Sequence, residues 1–398
     1  MARMRAVWMQ GTEQIQKPVA KTNIGVSLLR RNSTPCRADS RADVGKVFRS
    51  TAIVRIVTTS IDPHSRRRVT AGDVAARAGV SISTVSKALS GKGAVRYETK
   101  QRILAAADEL GFQANQVATS LFTGRTNTIG VITSDRFGRL TVPVLLGAIE
   151  KLSEHEIALV LCDGRGDPIR EQHFVDSFLR RRVDGILVTG AGEFARDGLR
   201  PDLPVPVVYA MSWSRDERDT SVVPDDAEGA RMATRHLLST GREKLAFISG
   251  PQRDDASRVR LAATREILAE RGLSLVHDPL FGEWSERWGR QALKQILLSG
   301  VPFDGVVCAS DQVARGVTEA LREAQIDVPR EVGVIGFDNW DVMVEASRPP
   351  LSTIDMSLHE VGAAAATALL EAIETGRREP GIRRIDCQFV PRESTAVA

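Results

Sequence analysis

The chain has 398 residues, 42% of them hydrophobic and 26% charged, enough for two or three domains with sizeable cores. No run of 18 apolar residues occurs, which excludes a spanning helix, and Cys36, Cys162, Cys308 and Cys387 stand too far apart for a disulfide framework or a zinc site. Lys and Arg outnumber Asp and Glu by 14 to 4 in residues 1–68 and by 7 to 4 in 69–126, but fall behind by 33 to 42 in 127–398, so only the N-terminal part suits a polyanion.

Residues 1–68 carry the breakers Arg30-Arg31-Asn32-Ser33-Thr34-Pro35 and Asp62-Pro63-His64-Ser65, and no apolar period persists. There is no secretory apolar core with a small-residue cleavage site. The stretch reads as a disordered basic extension, as translated upstream sequence would be; a basic arm that adds to nucleic-acid binding is the other reading. From Val69 the pattern is helical. Thr70 can cap a helix with Asp73 in its first turn and Val74, Ala75 and Ala78 inward, closed by Gly79. Ser81 can cap a second, with Val85 and Leu89 inward. A third spans Glu98 to Leu110, with Ile103, Leu104, Ala107 and Leu110 at helical spacing. Three short helices in this space make a helix-turn-helix unit, residues 69–114. Residues 116–122, capped by Asn115, form a helix too short to stand alone in water, within a hinge and linker over 115–126.

From Thr128 apolar strand runs alternate with helical segments, the α/β pattern with parallel sheets. The strands are expected at Ile129–Thr133, Ala158–Cys162, Gly185–Thr189, Val205–Ala210, Leu245–Ser249, Gly305–Ala309 and Val332–Phe337. An internal repeat pairs Ile129-Gly130-Val131-Ile132 and Asp184-Gly185-Ile186-Leu187-Val188 with Leu245-Ala246-Phe247-Ile248 and Asp304-Gly305-Val306-Val307-Cys308. Two lobes over 127–398 are implied, with ligand between them at the carboxyl ends of the strands.

In a helix-turn-helix the second helix enters the major groove. Ile82, Ser83, Thr84 and Lys87 then face DNA: Lys87 toward guanine, the hydroxyls toward bases or phosphates, Ile82 toward a thymine methyl. Thr70, Ser81 and Ser86 belong with them, the two serines suited to phosphate. A three-helix bundle with merely solvated Ser, Thr and Lys has the same spacing.

The run Val74-Ala75-Ala76-Arg77-Ala78-Gly79-Val80-Ser81-Ile82-Ser83-Thr84-Val85-Ser86-Lys87-Ala88-Leu89 closely resembles the headpiece of the lactose/galactose repressor (LacI/GalR) family. Ala105-Ala106-Ala107-Asp108-Glu109-Leu110-Gly111-Phe112, Pro224-Asp225-Asp226, Ser310-Asp311-Gln312, Gly336-Phe337-Asp338-Asn339 and Pro350-Leu351-Ser352-Thr353-Ile354 continue it in order. The resemblance covers about 69–398. It implies a cytoplasmic, homodimeric regulator, most simply a repressor, with a periplasmic-binding-protein-like effector domain. Its partners are double-stranded operator DNA and a small-molecule effector, a carbohydrate first; no cofactor or metal is implied. It also implies that the hinge helix orders on DNA, with Asn115 capping it, Ala118 at a helix–helix contact and Leu121 wedged into the minor groove. Ala114 departs from the proline usual there.

In the effector domain the resemblance points to Arg258 and Asp338 as ligand-bonding residues, a donor fork and an acceptor suited to vicinal diols. Phe137 and Leu140 match the other wall of the pocket. Ser310 faces the cleft while Asp311 caps the next helix. Trp213, Trp284 and Trp340 are stacking platforms or core. Thr264 and Met211 replace an aromatic and an aspartate common in the family, so ligand identity does not carry over. No GxSxG elbow, HExxH or P-loop occurs, which argues against an enzyme. A solute-binding protein of a sugar transporter shares the two lobes but needs a signal peptide and no headpiece.

Overall fold

The computed structural model describes residues 69–90, 94–112, 124–134, 138–190, 192 and 194–396. The expectations for residues 1–68 and for Asn115, Ala118, Leu121 and Phe137 lie outside these.

The first three helices are α1 (Ala71–Ala78), α2 (Ile82–Ser90) and α3 (Tyr97–Glu109). Thr70 and Asp73 form a reciprocal capping box: the Asp73 N–H donates to Thr70 Oγ1 at 3.3 Å and the Thr70 N–H to Asp73 Oδ2 at 2.8 Å. Gly79 ends α1 at φ 64°, a left-handed conformation that costs glycine nothing. Val74, Ala75, Ala78, Val85, Ala88, Ile103, Ala106 and Ala107 make the small core. Leu104, expected inward, is exposed, and Ala106 takes its place. Where α3 meets α1 and α2 the helices pack closely, and alanine fits there.

Beyond the headpiece the strands run β1 (Thr128–Thr133), β2 (Ala158–Asp163), β3 (Gly185–Thr189), β4 (Ala195–Arg196), β5 (Val207–Ala210), β6 (Trp213–Ser214) and β7 (Thr220–Pro224). They continue as β8 (Leu245–Ser249), β9 (Leu280–Phe281), β10 (Gly305–Cys308), β11 (Gly333–Ile335), β12 (Thr353–Asp355), β13 (Gly381–Ile385) and β14 (Gln388–Val390). The helices are α4 (Thr141–Ser153), α5 (Pro168–Arg180), α6 (Asp226–Ser239), α7 (Asp255–Glu270), α8 (Glu286–Ser299), α9 (Asp311–Glu323), α10 (Asp341–Val344) and α11 (Leu358–Thr375). One sheet has the order β13-β7-β5-β3-β1-β2, a second β11-β10-β8-β9, and both are parallel throughout. The chain returns to the first lobe after β12, laying α11 on α4 and adding β13 at the sheet edge.

The internal repeat has a structural counterpart. Ile129 pairs with Gly185 in the first sheet, and Leu245 with Gly305 in the second, in the same parallel register. The aspartate before each glycine does the same work: Asp184 accepts the Thr128 N–H at 3.4 Å and Asp304 the Lys244 N–H at 2.8 Å, each donor one residue before the paired strand position. Each carboxylate pins the approach to the neighbouring strand and so sets the register. In the first lobe α4 and α11 cross at Gly147 and Gly362, where a Cβ on either glycine would collide with a carbonyl oxygen of the other helix.

The C-terminal segment closes on α6 through His236, whose Nε2 lies 2.7 Å from Thr395 Oγ1 and whose ring centroid is 4.3 Å from that of Phe389. Burial, and secondarily Arg242, lower its pKa from the ordinary 6.5. The folded protein therefore holds His236 neutral while the unfolded chain binds a proton, so this contribution to stability is complete above pH 6.5 and is lost as pH falls toward the lowered value. His236→Gln is expected to flatten the loss of stability between pH 7.5 and 5.5, measured as the shift in urea midpoint; an unchanged slope would remove His236 as its source.

Candidate functional site

Two surfaces collect the side chains that the chemistry needs. On the headpiece, α2 buries Val85 and Ala88 and leaves Ile82, Ser83, Ser86 and Lys87 exposed, with Thr84 half-buried. Ile82 is 59% exposed at the first turn, an apolar side chain that solvent alone does not favour. Ser81 is drawn into a local net: its hydroxyl accepts the Thr84 N–H at 3.2 Å and lies 2.8 Å from both Ser83 Oγ and Thr84 Oγ1. Ser81 therefore caps the helix, and Thr70 is occupied with Asp73, whereas Ser86 and Lys87 stand in the open.

The second surface lies where the carboxyl ends of the two sheets meet. Asp338, three residues beyond β11, has φ 113° and Asn339 has φ 52°, unfavourable regions for side chains with a Cβ. The turn is held because the Asp338 N–H donates to the Ile354 carbonyl at 2.8 Å. The carboxylate it presents is almost fully buried. Its Oδ2 is 2.7 Å from Arg139 Nη1, reaching over from the start of α4, and its Oδ1 is 3.9 Å from Arg260 Nη1. Arg260 is the hub. It donates to the Ala309 carbonyl at 2.6 Å and to Asp226 Oδ1 at 2.8 Å, and its guanidinium carbon stands 3.6 Å from the centroid of the Phe337 ring. Burial raises the Asp338 carboxyl above its usual range, against the pull of Arg139 and Arg260. Asp311 is raised well above its usual range by burial first and by the Asp338 charge second.

Two expectations are corrected here. Arg258 does not face the cleft: its side chain is 60% exposed and pairs with Asp255 in its own helix turn. The cleft arginine is Arg260, two residues on. Residues two apart on a helix point about 200° from each other, so only one of the pair can face inward. A signal was present, since Arg260 shares the buried stripe of α7 with Leu261, Thr264, Ile267 and Leu268, a stripe where a guanidinium has to have a partner. The roles of Ser310 and Asp311 are also exchanged. Ser310 is the helix cap, accepting the Val313 N–H at 3.3 Å, while Asp311 turns inward and accepts from the Thr353 hydroxyl at 2.5 Å and the Trp340 N–H at 2.8 Å.

Of the remaining candidates, Leu140 packs against the main core at the start of α4. Thr264 is buried, accepting a hydrogen bond from Thr234 at 3.3 Å. Trp284 packs on Gly250 and donates to Asp254 at 2.8 Å, whereas Trp340 lies 5.5 Å from the Arg139 guanidinium. Around the same strand ends, the buried hydroxyls of Ser134, Thr189 and Ser212 have no hydrogen-bond partner among the described residues. Cys308 is buried, and burial pushes its thiol well above the usual range, leaving it unreactive.

Residues 70–115 match the family of bacterial regulatory proteins, lacI family, and residues 234–395 match the periplasmic binding protein-like domain. The HTH-type transcriptional repressor PurR of Pasteurella multocida is 30% identical over 81% of this chain and 97% of its own. The ribose operon repressor of Escherichia coli K12 is 29% identical over 80% and 96%. The chain belongs to the lacI family. Its fold is that of the solved lac repressor dimer bound to operator and the anti-inducer ONPF, at 24% identity, with 83% of this chain and 99% of that one covered and a TM-score of 0.68.

In the second lobe of this lacI-family regulator, Arg260 and Asp226 are buried against each other. Arg260→Ala strands Asp226 in a site that excludes water, and is expected to cost about 3–5 kcal/mol in chemical denaturation. The double variant Arg260→Met with Asp226→Asn should recover a large part of that loss. Equal losses in both variants would show that packing of the arginine stem, and not its charge, is what matters.

Proposed function

We propose that this lacI-family protein is a homodimeric, cytoplasmic repressor whose hold on a near-palindromic operator is set by a polyhydroxylated small molecule, a sugar, bound between the two lobes. It acts by binding and not by turnover. The observation that carries the reading is the chemistry left over at the strand ends. The hydroxyls of Thr189 and Ser212 on the first lobe, and Asp226 Oδ2 on the second, are buried without hydrogen-bond partners among the described residues. Buried polar groups are costly unless partnered, and a ligand bearing several hydroxyls can donate to the carboxylates and accept from the hydroxyls and Arg260 together. The relative named as a ribose operon repressor points the same way.

The remaining assignments follow the chain. The headpiece, residues 69–114, presents Ile82, Ser83, Thr84, Ser86 and Lys87 to the major groove, with Thr70 and Ser81 stabilising its helix starts. The hinge and linker, 115–126, with Asn115, Ala118 and Leu121, order on DNA, and residues 127–398 bind effector and dimerise. Val142, Leu146 and Ile149 are exposed on α4 at a spacing that forms one apolar stripe, a surface suited to a second copy about a two-fold axis. A change in lobe orientation at that interface then alters the cost of ordering the hinge, and a coupling of about 1–3 kcal/mol gives roughly 5–150-fold control of operator affinity. The solute-binding reading has no use for the headpiece.

Lys87→Ala is expected to relax base preference at one operator position by about 1–3 kcal/mol in binding-site selection; a uniform loss across sequences would make Lys87 a phosphate contact instead. In gel shifts against operator DNA with sugars added, Asp338→Ala should abolish the effector response and keep operator affinity, while Arg258→Ala should respond as the parent does. A full response from Asp338→Ala would rule out the cleft as the effector site.

A further inference from the structure

The contact between Arg139 and Asp338 says more about the ligand than the hydroxyls do. Arg139 belongs to the first lobe, two residues before α4, and its side chain is 17% exposed. It lies against Trp340 and reaches across to Asp338, the carboxylate within 4 Å of it among the described residues. Asp338 already has a cation of its own lobe in Arg260. The crossing contact is a meeting of charges without hydrogen-bond alignment: neither Arg139 Nη1 nor Asp338 Oδ2 has a hydrogen-bond partner among the described residues.

The two walls of the cleft differ in sign. The second lobe brings Asp226 and Asp338 against Arg260, and Asp311 beside Asp338, where the Arg139 charge also acts on it. The first lobe brings Arg139, the buried hydroxyls of Ser134 and Thr189, and the start of α4, which has neither a side-chain cap nor an acidic residue in its first turn. That wall offers donors and positive charge. A ligand with hydroxyls alone could satisfy the acidic wall, but it adds no partner for Arg139, whose contact carboxylate is shared with Arg260.

Building on the sugar-binding reading of this cleft, we infer that Arg139 selects an effector carrying an anionic group, a carboxylate or a phosphate, on its polyhydroxylated frame. The hydroxyls engage Asp338, Asp226 and Arg260, and the anion replaces Asp338 as the partner of Arg139. Withdrawal of Arg139 removes one of the two cations that hold down the Asp338 carboxyl, which burial already raises. Asp338 can then take up a proton and donate to a ligand hydroxyl, which relieves repulsion between the two anions.

The test is calorimetric titration of the full-length protein with gluconate and galacturonate, with glucose 6-phosphate and ribose 5-phosphate, and with glucose, galactose and ribose. At least one acid is expected to bind at least about tenfold tighter than its neutral counterpart, the strength of one charge-assisted contact. The carboxylate and phosphate arms separate the two sources of charge. Arg139→Ala and Arg139→Gln should bring the ratio of acid to neutral affinity close to one, and Arg139→Lys should keep part of it. A parent protein that binds neutral sugars as tightly as acids, or an Arg139→Ala variant that keeps the preference for an acid, would overturn the inference while leaving the sugar site standing. Failure of every sugar, acidic or neutral, would overturn the reading of the cleft and this inference with it.

Discussion

A guanidinium taken almost wholly out of water has to be matched by carboxylates and carbonyls placed around it, and in this protein that demand organises the second lobe. Arg260 draws together groups distant in the chain: Asp226 at the start of α6, the Ala309 carbonyl after β10, and Phe337 and Asp338 after β11. These are the points at which strands give way to helices or where the chain crosses between lobes. Because each partner is buried, none can be supplied by water, and the charge pattern becomes specific in a way that surface ion pairs are not. The positive φ values of Asp338 and Asn339 are tolerated because the turn is tied to β12 and to Asp311.

The same constraint explains why a small ligand can matter so much in the proposed mechanism. Parallel sheets deliver their carboxyl ends to one side, so the two lobes face each other with side chains that their own lobe does not fully satisfy. The first-lobe wall is rich in donors and the second in acceptors, and Arg139 spans them. A crossing charge contact that a ligand can replace supplies the differential interaction an effector-dependent equilibrium needs.

The paired architecture also shows how the repeat is built. Asp184 and Asp304 accept from equivalent backbone N–H groups, those of Thr128 and Lys244, and the strand registers beside them coincide. Parallel strands placed next to each other without a hairpin need such anchors, since no turn fixes their register. Glycine at 147 and 362 serves a different end, letting α4 and α11 approach until backbone meets backbone.

Much of this was legible along the chain. The alternation of strands and helices, the cap at Thr70, the turn at Gly79 and the repeat all follow from local chemistry and period, because hydrogen bonding and side-chain spacing act within a few residues. Family membership followed from motifs in order. What the sequence alone did not decide was direction at the cleft: Arg260 and not Arg258, Asp311 and not Ser310, Ala106 inward and Leu104 out. Each of these pairs lies within one turn of a helix, and helical spacing treats both members as acceptable until a second element packs against one face. Which face that is depends on strands and helices brought up from 29 to 96 residues away, so the choice belongs to the tertiary structure.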